Sequence, residues 1–273
     1  MVRRTRVPAA DSELERKVAE LDWYHTLELA PGVVTPGWFD LRGVVGQVPI
    51  PASLSGARVL DVGTFDGFWA FEMERRGAAE VVAIDVLDPA EWDWPPGSAE
   101  AVVREIGKRK AQGAGFLLAK DALGSSVTRI ERSVYDLDPG EVGSFDFVYV
   151  GSLLLHLRDP VRALERVRGA AHGSVVVVDA VDGALTATLR RRAVATLDGV
   201  GRPWWWKPNV AGLVRMIEVA GFEVTAPPRR LRLPAGPGQP PSTPRAWLSR
   251  AGRSVAWAAC RGDLHAAIAA RPR

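Results

Sequence analysis

The sequence predicts an α/β domain built on a mostly parallel sheet, and three features predict it. Strand-like and helix-like segments alternate from Ala57 onward. The strand-like segments are apolar and rich in β-branched residues, as in "GSVVVVDAV", so both of their faces are expected to be buried. The run "RVLDV" ends in an acid and leads into a turn bracketed by glycines, "GTFDG", at the carboxyl end where such sheets hold ligands.

The elements follow in order. "DSELERKVAELDWY" reads as a short helix capped by Asp11 or Ser12. Residues 27–56 are rich in Gly and Pro without helical period, and read as a long ordered loop able to cover a site. "ARVLDV" is a strand. "GFWAFEMERRGA" is a helix with Phe68, Phe71 and Met73 at helical spacing and Gly77 at its end. "EVVAIDV" is the second strand. After a break at "LDPAEWDWPPG", helices are expected over about 99–112 and 115–123. "VTRIERSVYDL" gives the third strand and its exit, and "FDFVYVGS" the fourth. "DPVRALERVRGAA" is a helix with Asp159 and Pro160 at its start. "GSVVVVDAV" is the fifth strand. "NVAGLVRMIEVAG" is a helix, "FEVTAP" a strand, "LPAGPGQPPSTP" a turn-rich linker, residues 245–262 helical, and "HAAIAAR" a last strand.

Composition narrows the function classes. The 273 residues allow a well-filled core, and 47% hydrophobic with 25% charged residues is ordinary for a globular chain. One cysteine, Cys260, excludes an intramolecular disulfide framework and a cysteine zinc site, which points to a reduced, cytoplasmic setting. No apolar run is long enough to cross a bilayer, so no membrane role is expected. No His/Asp/Glu cluster has ligand spacing, so no metal is expected. Net charge is +3, with arginines gathered at Arg190–Arg192 and at Arg229, Arg230 and Arg232; these read as solvated faces or as a phosphate-binding surface. Ten tryptophans include the consecutive Trp204, Trp205 and Trp206, which cannot all face one core.

The turn Gly63-Thr64-Phe65-Asp66-Gly67 lacks the central glycine of a dinucleotide loop, and Asp61 and Asp66 add two negative charges. A carboxylate about 5 Å from a phosphate costs roughly 3 kcal/mol at an effective dielectric near 20. No Lys-Ser/Thr follows, which excludes a Walker loop. A cationic nucleoside reverses the sign, and S-adenosylmethionine carries a sulfonium and an ammonium without phosphate. Asp85, ending the second strand, is placed to accept ribose hydroxyls.

"VLDVGTFDGFWAFEMERRGAAEVVAIDV", "SVYDL", "FDFVYVGSLLLHLRDP" and "AGFEV" resemble the class I, Rossmann-like, S-adenosylmethionine-dependent methyltransferases. The upstream "LDWYHTLELAPGVVTPGWFD" is similar to the group containing the tRNA wobble-uridine carboxymethyltransferase and its bacterial small-molecule relatives, and the likeness returns at "GDLHAAIAARP". The resemblance implies a seven-stranded sheet with helices on both faces and an N-terminal extension. On it, residues 1–56 form a helix and site-covering loop, and 57–273 the cofactor-binding domain with an insertion at about 233–262. It also implies cofactor contacts from Trp38, Asp61, Gly63, Thr64, Phe65 and Gly67 around the methionine part. Asp85, Val86 and Leu87 would hold the ribose and adenine edge, Ser133 and Val134 the adenine, and Gly151 would lie beside the sulfonium. Arg42 lies near a matching basic residue. In the tRNA enzyme a Lys, a Tyr and an Arg grip a carboxylated cofactor. The matching positions fall at or near Tyr24, Leu155 and His265, where no permanent cation remains, so plain S-adenosylmethionine is expected.

For the chemistry, His156 follows the fourth strand and is either a base or a structural pin for the next helix; His25 and Tyr24 lie in the covering loop. Trp204, Trp205, Trp206, Asn209 and His265 are candidates for the acceptor pocket, with Trp92 and Trp94 at its rim; His172 is given no role. The expected function is methyl transfer to a hydroxyl or amine of a small aromatic or apolar metabolite, in natural-product biosynthesis. A tRNA substrate and a non-catalytic cofactor-binding module are the rivals, and the sequence leaves a homodimer open.

Overall fold

The computed structural model describes residues 9–98, 100–197, 203–239 and 262–273. It opens with helix α1 (Ala9–Ala19) and four short strands, β1 (Trp23–His25), β2 (Glu28–Ala30), β3 (Val33–Val34) and β4 (Gly37–Phe39). The alternating part runs β5 (Arg58–Val62), α2 (Phe68–Arg75), β6 (Glu80–Asp85), α3 (Glu100–Lys110), α4 (Ala114–Leu123) and β7 (Thr128–Glu131). It continues with α5 (Pro139–Val142), β8 (Phe145–Gly151), α6 (Pro160–Ala170), β9 (Ala171–Ala180) and α7 (Gly183–Thr188). The last elements are β10 (Ala195–Leu197), β11 (Trp206–Pro208), α8 (Val210–Val219), β12 (Phe222–Val224), β13 (Arg229–Leu233) and β14 (Asp263–Pro272).

The main sheet has the order β12-β14-β9-β8-β5-β6-β7. Strands β7, β6, β5, β8 and β9 are parallel to their neighbours, and β14 is inserted antiparallel between β9 and β12. The β-branched run Val175–Val178 is 0–1% exposed, which is why its sequence shows no polar alternation. One apolar cluster packs α2 and α4 against one face with the N-terminal strands, and a second packs α6 and α8 against the other. Asp159 caps α6 by accepting Arg162 N–H at 3.0 Å, with Pro160 at the first helical position.

Three expectations are corrected. Among the described residues the sheet has eight strands instead of seven: β13 continues the edge begun by β12, pairing Arg229–Leu233 with the first half of β14. Its arginines face outward while Leu231 and Leu233 are buried, an alternation that reads as a basic stretch in sequence. Residues 23–39 form paired strands and no plain loop, because Trp23–His25 pairs with Gly37–Phe39 and Glu28–Ala30 with Val33–Val34. Asp11 and Ser12 lie inside α1, which is already helical at Ala9. The helical reading of 245–262 falls, except for Gly262, outside the described residues, as do Cys260 and the linker's last five residues, 240–244.

Candidate active site

At the carboxyl ends of the parallel strands lies a cavity of about 330 Å³. Its place follows from topology. Strand β6 lies on one side of β5 and β8 on the other, so the loops after β5 and β8 part and leave a crevice.

One half of the wall comes from the loops after β5, β6 and β7. Asp61, Gly63, Thr64, Phe65, Asp85, Val86, Ser133 and Val134 line it. Asp61 is 2% exposed, and burial pushes its carboxyl up to about 7. Among the described residues its Oδ2 and the Thr64 Oγ1 are buried without hydrogen-bond partners, as are Trp38 Nε1, Gln239 Oε1 and Arg132 Nε, and all five residues stand on the cavity wall. Buried polar atoms are normally paired, so five without a partner on residues of one wall are the feature a polar ligand would satisfy. Asp85 accepts Phe65 N–H at 2.6 Å and Val86 N–H at 2.8 Å. Ser133 accepts Tyr135 N–H at 3.3 Å.

Two residues expected here do not reach the cavity. Gly67 adopts φ +93° at the start of α2, and a Cβ there would meet the Phe71 ring at 2.4 Å, so this glycine serves the turn. Leu87 is half-buried beside the break and off the wall.

The charge argument from sequence is also corrected. Asp66 does not face the ligand. It accepts the backbone N–H groups of Tyr24 and His25, both at 2.9 Å, and the ring Nδ1 of His25. Asp85 is matched by the ammonium of Lys110 from α3. Of the three acids in the motif, Asp85 is paired with an ammonium, Asp66 is turned to the N-terminal strand, and Asp61 holds its proton to about neutral pH. The ligand therefore faces less negative charge than three acids in sequence suggest.

The other half of the wall gathers distant segments: Tyr24, His25 and Trp38 from the N-terminal strands, Gly151, Ser152, Leu155 and His156 after β8, Trp204, and His265. Strand β14 runs antiparallel, so its first residues enter on the ligand side; His265 pairs with Ala180 at the carboxyl end of β9. Tyr24 stacks on Phe65, with ring centroids 4.3 Å apart, and burial pushes its phenol up, with Asp66 adding to it, so it stays a proton donor. His156 points Nδ1 at the Pro203 carbonyl, which must accept, so Nδ1 carries the proton and Nε2 a lone pair. Burial lowers the pKa of His156 and keeps the ring neutral. His265 donates from Nδ1 to the Asp263 carbonyl at 3.1 Å and accepts from Ser152 Oγ at 3.0 Å; burial lowers its pKa too. Gly151 lacks a side chain because a Cβ there would lie 2.3 Å from the Tyr149 ring. The turn beyond it is anchored by the buried Asp179, which accepts Leu154 N–H at 2.7 Å.

Trp205, Trp206 and Asn209 stand off the cavity. Trp205 donates to the Asp93 carbonyl at 2.5 Å and Trp206 to the Arg158 carbonyl at 3.0 Å, so they brace the loop while Trp204 faces inward. Asn209 is fully buried, caps α8 through Gly212 N–H at 2.7 Å, and donates to the carbonyls of Leu189 and Arg192 at 2.9 Å. Its polar atoms are spent on the backbone. Arg42 lies against Asp40 at 2.7 Å. Trp92 and Trp94 line the cavity and stack on each other at 5.4 Å.

Sequence reasoning missed Ser152, Gln239, Asp263 and Lys110. Ser152 directly follows Gly151, which was a usable signal. Gln239 sits in a Gly/Pro-rich stretch that docks on β4, Gly236 N–H to Trp38 O at 2.7 Å and Gly238 N–H to Gly37 O at 2.9 Å, and nothing local announces that.

No family model and no curated protein sequence matches the chain. Solved structures do match in fold. The N-terminal domain of EvdMO1 with SAH bound is 16% identical over 96% of this chain and 97% of that one, at a TM-score of 0.52. The same domain in the presence of SAH and D-fucose gives 17%, 96%, 97% and 0.51. Against full-length EvdMO1 the identity is 18% and the TM-score 0.52, and this chain spans 47% of that longer one. At these identities the likeness establishes one thing: the chain shares the Rossmann-like α/β fold of the EvdMO1 domain, a central mostly parallel sheet with helices packed on it.

Proposed function

We propose that the protein transfers a methyl group from S-adenosylmethionine to a hydroxyl or amine of a small aromatic or apolar metabolite. The observation that carries this is the set of five buried polar atoms unpartnered among the described residues, on Asp61, Thr64, Trp38, Gln239 and Arg132, in the wall of the crevice beside Gly63. The solved EvdMO1 domain with SAH bound supports the same cofactor. The residues present fit it: Asp61, Thr64, Phe65 and Trp38 would hold the methionine part, Asp85 and Val86 the ribose, Ser133 and Val134 the adenine, with Gly151 beside the sulfonium.

When bound, the cofactor supplies a methyl carbon already activated by its sulfonium for in-line displacement. The chain's task is to align the acceptor, exclude water and take its proton. Tyr24, Trp38 and Trp204 wall the acceptor side with flat surfaces suited to an aromatic or apolar body. His156 offers a neutral imidazole whose Nε2 can take a proton, while the Pro203 carbonyl fixes its tautomer. Tyr24, Leu155 and His265 all line the cavity and provide no permanent cation for an added carboxylate, which favours the unmodified cofactor. The exposed Arg190–Arg192 and Arg229–Arg230 are not on the wall, which favours a metabolite over tRNA. A small aromatic or apolar acceptor is in keeping with a role in natural-product biosynthesis.

Thermal unfolding with and without SAH tests the reading. SAH is expected to raise Tm, and Asp85→Ala to remove most of the shift. A shift that survives Asp85→Ala would mean the ribose lies elsewhere. Binding of SAH with no methyl transfer to any phenol, alcohol or amine offered would leave a non-catalytic binding module.

A further inference from the structure

Lys110 is a lysine with a side chain 0% exposed, and it does not stand on the cavity wall. Lysines are almost never buried this completely without a specific partner. Here the partner is the Asp85 carboxylate, which does stand on the wall. The ammonium approaches from behind, under the rings of Phe65 at 4.6 Å and Trp92 at 5.7 Å. Trp92 is itself tied back by its Nε1 donating to Val86 O at 3.0 Å. Asp85 Oδ2 thus receives Lys110 and Phe65 N–H, and Oδ1 receives Val86 N–H. A carboxylate has about four lone-pair sites, so one remains free on Oδ1.

Two consequences follow from this arrangement. Three donors fix the carboxylate in one orientation. The Lys110–Asp85 pair also carries no net charge, whichever of the two holds the shared proton, and Asp66 is occupied by the N-terminal strand. From this we infer that Lys110 is a charge-compensating positioning residue for Asp85, so that Asp85 reads the hydroxyls of a nucleoside and does not itself select the ligand by positive charge. The inference rests on the cofactor reading above and adds a discrimination to it: at Asp85 the uncharged thioether product and the cationic methyl donor are held alike.

The test needs no methyl acceptor. Dissociation constants for SAH and for sinefungin, in which a protonated amine replaces the methylated sulfur, are measured by calorimetry at pH 7.5 on the full chain, Lys110→Met and Lys110→Arg. Lys110→Met leaves Asp85 uncompensated, and sinefungin should gain about fivefold over SAH. Lys110→Arg keeps the charge and should keep the wild-type ratio. An unchanged ratio in Lys110→Met, with both affinities moving together or neither moving, overturns the inference and leaves Lys110 as packing. A wild-type chain that binds neither ligand sinks the cofactor reading and the inference with it. Should Lys110→Met fail to fold, Lys110→Gln retains an N–H donor without charge and should show the same gain; an unchanged ratio there overturns the inference equally.

Discussion

The two halves of the cavity wall are built differently. The half after β5, β6 and β7 takes its polar groups from short contiguous motifs, with Asp61, Gly63, Thr64 and Asp85 within one strand–helix–strand unit. The half facing it assembles Tyr24, Ser152, His156, Trp204 and His265 from places far apart in the chain. In the first half the positions are legible, but their charge is not, because Lys110 reaches in to pair with Asp85 and the backbone of β1 holds Asp66 away from the ligand. In the second half the residue types suggest chemistry, but only the fold supplies the partners that fix each proton.

Asp66 is where the halves are joined, and breaking it should give the largest effect. It is 2% exposed and holds two backbone N–H groups and an imidazole nitrogen. Asp66→Ala orphans all three inside the protein, at a cost of about 3 kcal/mol or more. For a chain of this size that is on the order of 10 °C in Tm. A loss below about 2 °C would show that packing of Trp23 alone secures the N-terminal strands.

His156 sharpens the contrast next. Its Nδ1 is committed to the Pro203 carbonyl and burial holds the ring neutral. Removing a general base costs about a hundredfold or more in turnover. His156→Ala should show that loss with SAH affinity nearly unchanged, since the ring stands on the half of the wall away from Asp61 and Asp85. Full turnover in the variant would assign His156 to pinning the 203–206 loop.

What the sequence made readable follows the same division. Strand–helix order, the buried Val175–Val178 run, the acid at the tip of β6 and the cap of α6 are local patterns, and each appears where its pattern indicates. The strands within 23–39 were hidden because each has only two or three residues, too few to show a period. Strand β13 was hidden because its outward arginines mask two buried leucines. Trp204, Trp205 and Trp206 are indistinguishable by type; only the carbonyls of Asp93 and Arg158, reached through the fold, separate the inward ring from the two braces. Lys110 sits in a charged helix end, "GKRK", where a buried lysine has no sequence signature.

Asp61 allows a test of charge within the first half. Its carboxyl titrates near 7 because it is buried. The unfolded chain releases that proton near pH 4, so the stability from this group is present at low pH and lost as pH rises through about 7. A ligand ammonium placed beside Asp61 favours the charged form. SAH binding at pH 6 should then release close to one proton, read from calorimetry in buffers of different ionisation enthalpy. At pH 8.5, or in Asp61→Asn, the release should vanish. Release that is equal at both pH values would remove Asp61 from the ligand.

The smallest expected effect concerns Ser152, where the second half of the wall stores backbone strain. Its φ of +50° lies in the left-handed region, which costs a non-glycine residue about 1 kcal/mol or more. Its hydroxyl recovers a similar amount, about 1 kcal/mol, from the 3.0 Å bond to His265. Ser152→Gly removes both, so stability should stay within about 1 kcal/mol of wild type. Ser152→Ala removes the bond and keeps the strain, so it should fall about 1 kcal/mol below the glycine variant. Denaturant midpoints for the pair measure that gap directly. Equal midpoints would mean that the turn relaxes around the alanine, and that the backbone at 152 is shaped by Asp179 and the following amides instead of by the serine.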